Sequence, residues 1–253
     1  MNAERRLAAT TGTLLLILAA VAWIELARPI GGSMSMGASA APLFLATWAV
    51  MTVAMMVPAT LPVLLLHRLQ ASRLGAGPLP TFVFLAGYLL VWSAAGLAAL
   101  AVQAAVARLA SEMGTAVPAV GWLVLILAGF YQLTPLKAAC LKACRNPLTV
   151  LFDIGPEASL AQQLVVGIKH AGWCLACCWS LMAVLLLVSF MNLTWMAIVT
   201  IIFLLEKNHP RGPAVARGAG VLLVLLGLAG LVHPEFLAWL SGGMPPTVMG
   251  GGV

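Results

Sequence analysis

The sequence predicts an all-α, polytopic bundle of about seven transmembrane helices. It forms one membrane-embedded domain over residues 1–253, with the N-terminus cytoplasmic and the C-terminus periplasmic. Three observations carry this expectation. Apolar residues make up 62% of the chain and charged residues 8%, against roughly 45–50% and 25% in soluble domains. Apolar runs of membrane-crossing length recur along the whole chain, and in lipid a run that must satisfy its own backbone folds as a helix. Lys and Arg collect on alternate connections between the runs, as the positive-inside rule requires. The net charge of +6 therefore belongs to short loops and is not a nucleic-acid signal. No cleavable signal peptide is expected, because no A-x-A-like site leading into a polar domain follows the first run.

The first run covers about Thr10 to Ala27 and ends at Arg28-Pro29, before the loop Gly31-Gly-Ser-Met34-Ser-Met36-Gly37. The second, about Pro42 to Leu66, contains Trp48, Met51, Met55 and Met56, with Pro58 and Pro62 expected to kink its later half. His67, Arg68 and Arg73 then enter a Gly/Pro loop. The third run, about Thr81 to Ala107, is rich in Ala and Gly, which favours close helix packing. The fourth extends from about Ala119 to Leu136, with Cys140 and Cys144 just beyond it. Residues 146–163 read as an amphipathic connection, and the fifth run covers about Val165 to Val188. After Met191-Asn192-Leu193 comes a sixth run of about a dozen residues ending at Glu206-Lys207. That is short against the roughly 20 needed to span upright. The seventh covers about Ala219 to Trp239, and residues 241–253 form a flexible Gly/Pro-rich tail.

With the N-terminus inside, the cytoplasmic set is Arg5, Arg6, Arg68, Arg73, Lys137, Lys142, Arg145, Lys207, Arg211 and Arg217. Arg28 and Arg108 lie outside, and Lys169 sits near a membrane boundary. Seven spans satisfy this asymmetry without exception.

The chain has five cysteines, in two local clusters. Read as a helix, His170, Cys174, Cys177, Cys178 and Met182 recur at offsets of three and four and form one stripe. Imidazole, thiolate and thioether suit a soft or borderline metal, above all Cu(I) or Zn. Cys140 and Cys144 are spaced i, i+4 upstream. Both clusters fall on the cytoplasmic side of the predicted topology, where thiols stay reduced. An odd number of clustered cysteines argues against a disulfide framework.

Blander readings stand beside these. A buried cysteine is also a small hydrophobe, and a methionine an ordinary packing residue. Met51, Met55 and Met56 form either a Cu(I) thioether ladder or helix packing, and Met34 and Met36 either a metal-collecting loop or a plain Gly/Ser turn. Glu206 and Lys207 are functional suspects as charges near the membrane, but read more simply as a neutralised pair at the headgroups. Pro58 and Pro62 either open carbonyls to a cavity or bend the helix. No Walker loop, dinucleotide fingerprint or H-E-x-x-H occurs.

Four stretches together resemble a known family. They are Trp48-x-x-Met51-x-x-Ala54-Met55-Met56-x-Pro58, Tyr131-Gln132-Leu-Thr-Pro135-Leu-Lys137-x-x-Cys140-Leu-x-x-Cys144-Arg145, Gly172-x-Cys174-x-x-Cys177-Cys178-Trp179-x-Leu-Met182, and Met191-Asn192-Leu-x-Trp195-Met196 running on to Glu206-Lys207. They are similar to the signatures of bacterial integral membrane proteins regarded as metal-binding and of no settled activity. The resemblance covers about residues 44 to 207. Ala176 stands where that pattern often has Gly. The resemblance implies a metal-binding bacterial membrane protein and nothing finer.

The expected function is binding of a soft metal, with Cu(I) transported or delivered across the inner membrane. Methionines on the outer side would take the ion, and the cysteines with His170 would receive it at the cytoplasmic side. A chain of modest sites suits such movement. The lipid bilayer is one partner, and a metallochaperone or other membrane subunits are the others considered. The rivals are a thiol–disulfide oxidoreductase cycling Cys174 and Cys177, and a zinc-stabilised scaffold or assembly subunit.

Overall fold

A computed structural model describes residues 2–28, 40–113, 117–146, 158–188 and 192–232. The described elements are all helices: α1 (Asn2–Ala27), α2 (Ala40–Arg73), α3 (Leu79–Met113), α4 (Val117–Leu133), α5 (Pro135–Arg145), α6 (Leu160–Val188), α7 (Leu193–Asn208) and α8 (Gly212–Val232). Five stretches are long and apolar enough to cross a membrane: Glu4–Ala27, Ala41–Arg73, Leu79–Arg108, Leu160–Leu186 and Gly212–Val232. The bent pair Val120–Leu133 and Pro135–Arg145 makes a sixth if taken as one span. The 241–253 tail and the Met34/Met36 loop lie outside the described residues.

α2 runs as one continuous helix through both prolines. Pro58 has no N–H for the carbonyl of Ala54, four residues back. The indole Nε1–H of Trp23 donates to that oxygen at 3.2 Å, so the freed carbonyl anchors α1 instead of opening to a cavity. α2 also runs through the stretch expected to be loop. His67 is buried there, bonded through Nδ1 to Thr81 Oγ1 at 3.0 Å and through Nε2 to Gln163 Oε1 at 2.8 Å.

α3 packs antiparallel to α2 and parallel to α6. Trp48 Nε1 on α2 donates to Trp92 O at 2.9 Å, and Gln103 Nε2 on α3 reaches Leu186 O on α6 at 3.2 Å. Gly87 and Gly167 make the α3–α6 approach possible, because a Cβ on either would meet the other helix's backbone. The Ala/Gly-rich third run is the reason these backbones come so close.

The fourth apolar run does not continue to Leu136. Pro135 cannot donate to Tyr131 O, which accepts instead from Thr134 N at 3.0 Å and Thr134 Oγ1 at 2.7 Å. Thr134 then caps α5, its hydroxyl accepting from Lys137 N at 3.2 Å. The chain turns by 65°, so the Cys140/Cys144 segment becomes a separate short helix laid against α6. α7 starts where the sequence marks a turn, with Asn192 Oδ1 accepting from Thr194 N and Trp195 N. At 16 residues it rises about 24 Å, and it packs between α2 and α8.

Candidate metal centre

The inward stripe of α5 is Lys137, Cys140, Leu141 and Cys144, all buried, a run of three- and four-residue steps. Opposite it, α6 presents Cys174, Cys177 and Cys178, each 0% exposed. All five cysteines are free thiols, and they share one continuous core with Met51, Met55, Met56 and Met182. The bend at Pro135 is what brings the two cysteine clusters together. Cys144 lies in the same buried core as Cys174, Cys177 and Cys178, close enough for the four thiols to influence one another electrostatically. Cys177 Sγ lies 3.5 Å from Cys178 Sγ and also donates to Cys174 O at 3.1 Å. Sulfurs about 3.8 Å apart are what two thiolates show on one tetrahedral ion with bonds of about 2.3 Å. Cys140 is buried one turn before Cys144.

Cys174 is the hub. Its sulfur is 3.0 Å from the Tyr88 hydroxyl and accepts from Lys207 Nζ at 2.9 Å. Thr60 Oγ1 bonds Tyr88 from behind at 3.2 Å. The same Lys207 Nζ is 3.8 Å from Met56 Sδ and 5.7 Å from the centre of the Phe203 ring. Met56 therefore stands at the cysteines and not on a separate outer segment of a path. Met51 and Met55 are buried on the same helix, and Met182 lies two turns beyond Cys174. His170 is one turn before Cys174, buried, with its ring 6.0 Å from Phe84 and 6.1 Å from Tyr88.

Glu206 and Lys207 are not a neutralised pair at the headgroups. Adjacent helical residues point about 100° apart, and here each finds a different partner inside the protein. Glu206 accepts from Lys137 Nζ at 2.7 Å and from Gln132 Nε2 at 3.5 Å. Lys137 Nζ also donates to Cys177 O. Arg145 closes the end of α7, donating to Glu206 O and His209 O at 2.7 Å each, a cation placed where a helix C-terminus favours one.

Lys137, Gln132, Arg145 and Tyr88 were missed as site residues by sequence reasoning. Lys137 carried a signal, since it shares the three- and seven-residue spacing of Cys140 and Cys144 within an apolar chain. Tyr88 carried none, because only the α2–α3–α6 crossing brings it to Cys174.

Among the described residues, no three His, Cys, Asp or Glu side chains already stand in an arrangement that holds an ion. The donor chemistry nevertheless suits a soft cation: thiols from two helices, a thioether from a third, and little competing oxygen. A positive charge, the Lys207 ammonium, already sits among these sulfurs.

A family model described as PpoB2, copper chaperone, matches residues 45–230, which takes in α2 to α8 almost entirely. Comparison with curated proteins and with solved structures gave no match.

Proposed function

The chain belongs to the PpoB2 family of copper chaperones, and from that premise we propose that it binds Cu(I) as cargo and passes it across or out of the bacterial inner membrane. The observation that carries this reading is one buried cation held by Cys174 and Met56 from two helices, with Cys144, Cys177 and Cys178 buried in the same core. Soft sulfur donors select Cu(I) over the hard cations of the cytosol. Cys174, bonded to the most neighbours, is the central ligand, with Cys144, Cys177 and Cys178 completing the shell in turn. Cys140 and His170 flank it, and Met51, Met55 and Met182 line the approach. The Met34/Met36 loop collects the ion outside.

The topology in this reading has seven spans. α7 crosses as a short seventh span packed inside the bundle, and the N-terminus is cytoplasmic and the C-terminus periplasmic, as the distribution of Lys and Arg favours. Asn208, His209 and Arg211, all exposed, then face the cytosol one to four residues beyond Lys207. A soluble metallochaperone or a membrane enzyme subunit docks at that surface. Burial of the cysteines works against thiol exchange with a soluble partner, which needs in-line access to sulfur. A structural zinc role calls for a closed four-ligand cage.

The test is a competition titration of the purified protein with a chromogenic Cu(I) chelator under anaerobic conditions. Cys174→Ser and Cys144→Ser should each lose affinity by about tenfold or more, while Leu175→Ala keeps it. Equal affinity in Cys174→Ser and the parent would end the reading.

A further inference from the structure

We infer that the Lys207 ammonium is a placeholder for the ion: it occupies the position Cu(I) takes, and loading drives it off Cys174 and Met56. The inference rests on the copper reading above and adds to it how the site is kept ready and how it lets go.

Three observations converge. Nζ touches two soft atoms on different helices, Cys174 Sγ at 2.9 Å and Met56 Sδ at 3.8 Å. Cys144, Cys177 and Cys178 are buried in the same core as Cys174, near enough to feel the ammonium's charge. Glu206, the neighbouring carboxylate, is engaged by Lys137 at 2.7 Å, so Lys207 is left to sulfur. An ammonium and a metal cation cannot share those sulfurs, because like charges at such range repel strongly in a buried setting.

The lysine also has somewhere to go. It lies in the last turn of α7, next to exposed Asn208, and its flexible stem can carry the charge to that surface. The end of α7 need not move, because Arg145 and Lys137 hold Glu206 in place. In the exchange, Cu–S bonds form at the Cys174 thiolate and the Met56 thioether and N–H···S bonds break; each further thiol that ligates releases its proton to water, no electron moves, and the ammonium keeps its proton. With Cys174 as the one thiolate, one monovalent cation replaces another and the buried charge is unchanged. Return of the ammonium lowers the site's hold on copper at the moment of transfer.

The experiment has two arms on the full chain in detergent. In the chelator titration, Lys207→Gln should bind Cu(I) at least about tenfold tighter than the parent. Equal or weaker binding by the folded variant would overturn the placeholder and leave the copper reading intact. The second arm needs no variant: reductive methylation of the parent with and without Cu(I), read by peptide mass spectrometry. Lys207 should be modified only when copper is bound, with exposed Lys142 labelled in both states. Equal protection of Lys207 in the loaded protein would likewise overturn the inference. A parent that binds no Cu(I) at all would remove the copper reading and the placeholder with it.

Discussion

Trp23 donates its indole N–H to the carbonyl of Ala54 at 3.2 Å, the one carbonyl of α2 that Pro58 leaves without a helical partner. A proline that would otherwise break the helix becomes the docking point for α1. In lipid such a carbonyl has no water to fall back on. Trp23→Phe keeps the aromatic bulk and strands the oxygen, and should cost about 1–2 kcal/mol. The check is the midpoint of thermal or SDS-induced unfolding; an unshifted midpoint would show the bond to be idle.

The buried ion pair makes a second prediction. Lys137 and Glu206 are 1% and 0% exposed and 2.7 Å apart. Glu206→Ala leaves an ammonium without its carboxylate and should destabilise by about 3–5 kcal/mol. The double variant Lys137→Met/Glu206→Leu replaces the pair by apolar atoms and should recover most of the loss. A double variant as unstable as the single one would mean that the pair itself, and not the orphaned charge, holds α5 to α7.

Much of the fold was legible because a chain with this many long apolar runs has few options. The apolar runs mark the helices, and Asn192 marks the start of α7. The stripe Cys174–Cys177–Cys178 follows from helical spacing alone. What was not legible came from outside each run. Thr134-Pro135 reads as the end of a span, yet nothing local says that α5 folds back against α6 and delivers Cys144 to Cys174. Glu206 and Lys207 look like each other's partners because they are adjacent, and only the burial of α7 shows that they diverge. The methionines of α2 suggested a separate outer ladder, whereas the antiparallel α2–α3 pair sets Met56 at the level of the cysteines.

That last placement distinguishes two methionines. Met56 should be a ligand or gate of the cysteine site, and Met51, five residues away, should not. Met56→Leu is nearly volume-conserving, so its stability should change little while Cu(I) affinity of the purified protein falls severalfold. Met51→Leu should bind like the parent in the same titration. Indistinguishable affinities for the two variants would make Met56 a packing residue.

The seven-span topology is open to reporter fusions. A fusion near Gly75, in the turn between α2 and α3, should report the cytoplasm, and one after Val253 the periplasm. Both in one compartment would mean an even number of spans between Gly75 and Val253, at odds with α7 crossing.

The central claim is that sulfur from different helices holds one copper ion at Cys174. X-ray absorption at the copper edge, on protein isolated without oxygen from copper-supplied cells, tests it most directly. The account predicts about one Cu(I) per chain in a sulfur-dominated shell, lost in Cys174→Ser. Protein without copper, or copper in an oxygen and nitrogen shell that Cys174→Ser leaves unchanged, would contradict it.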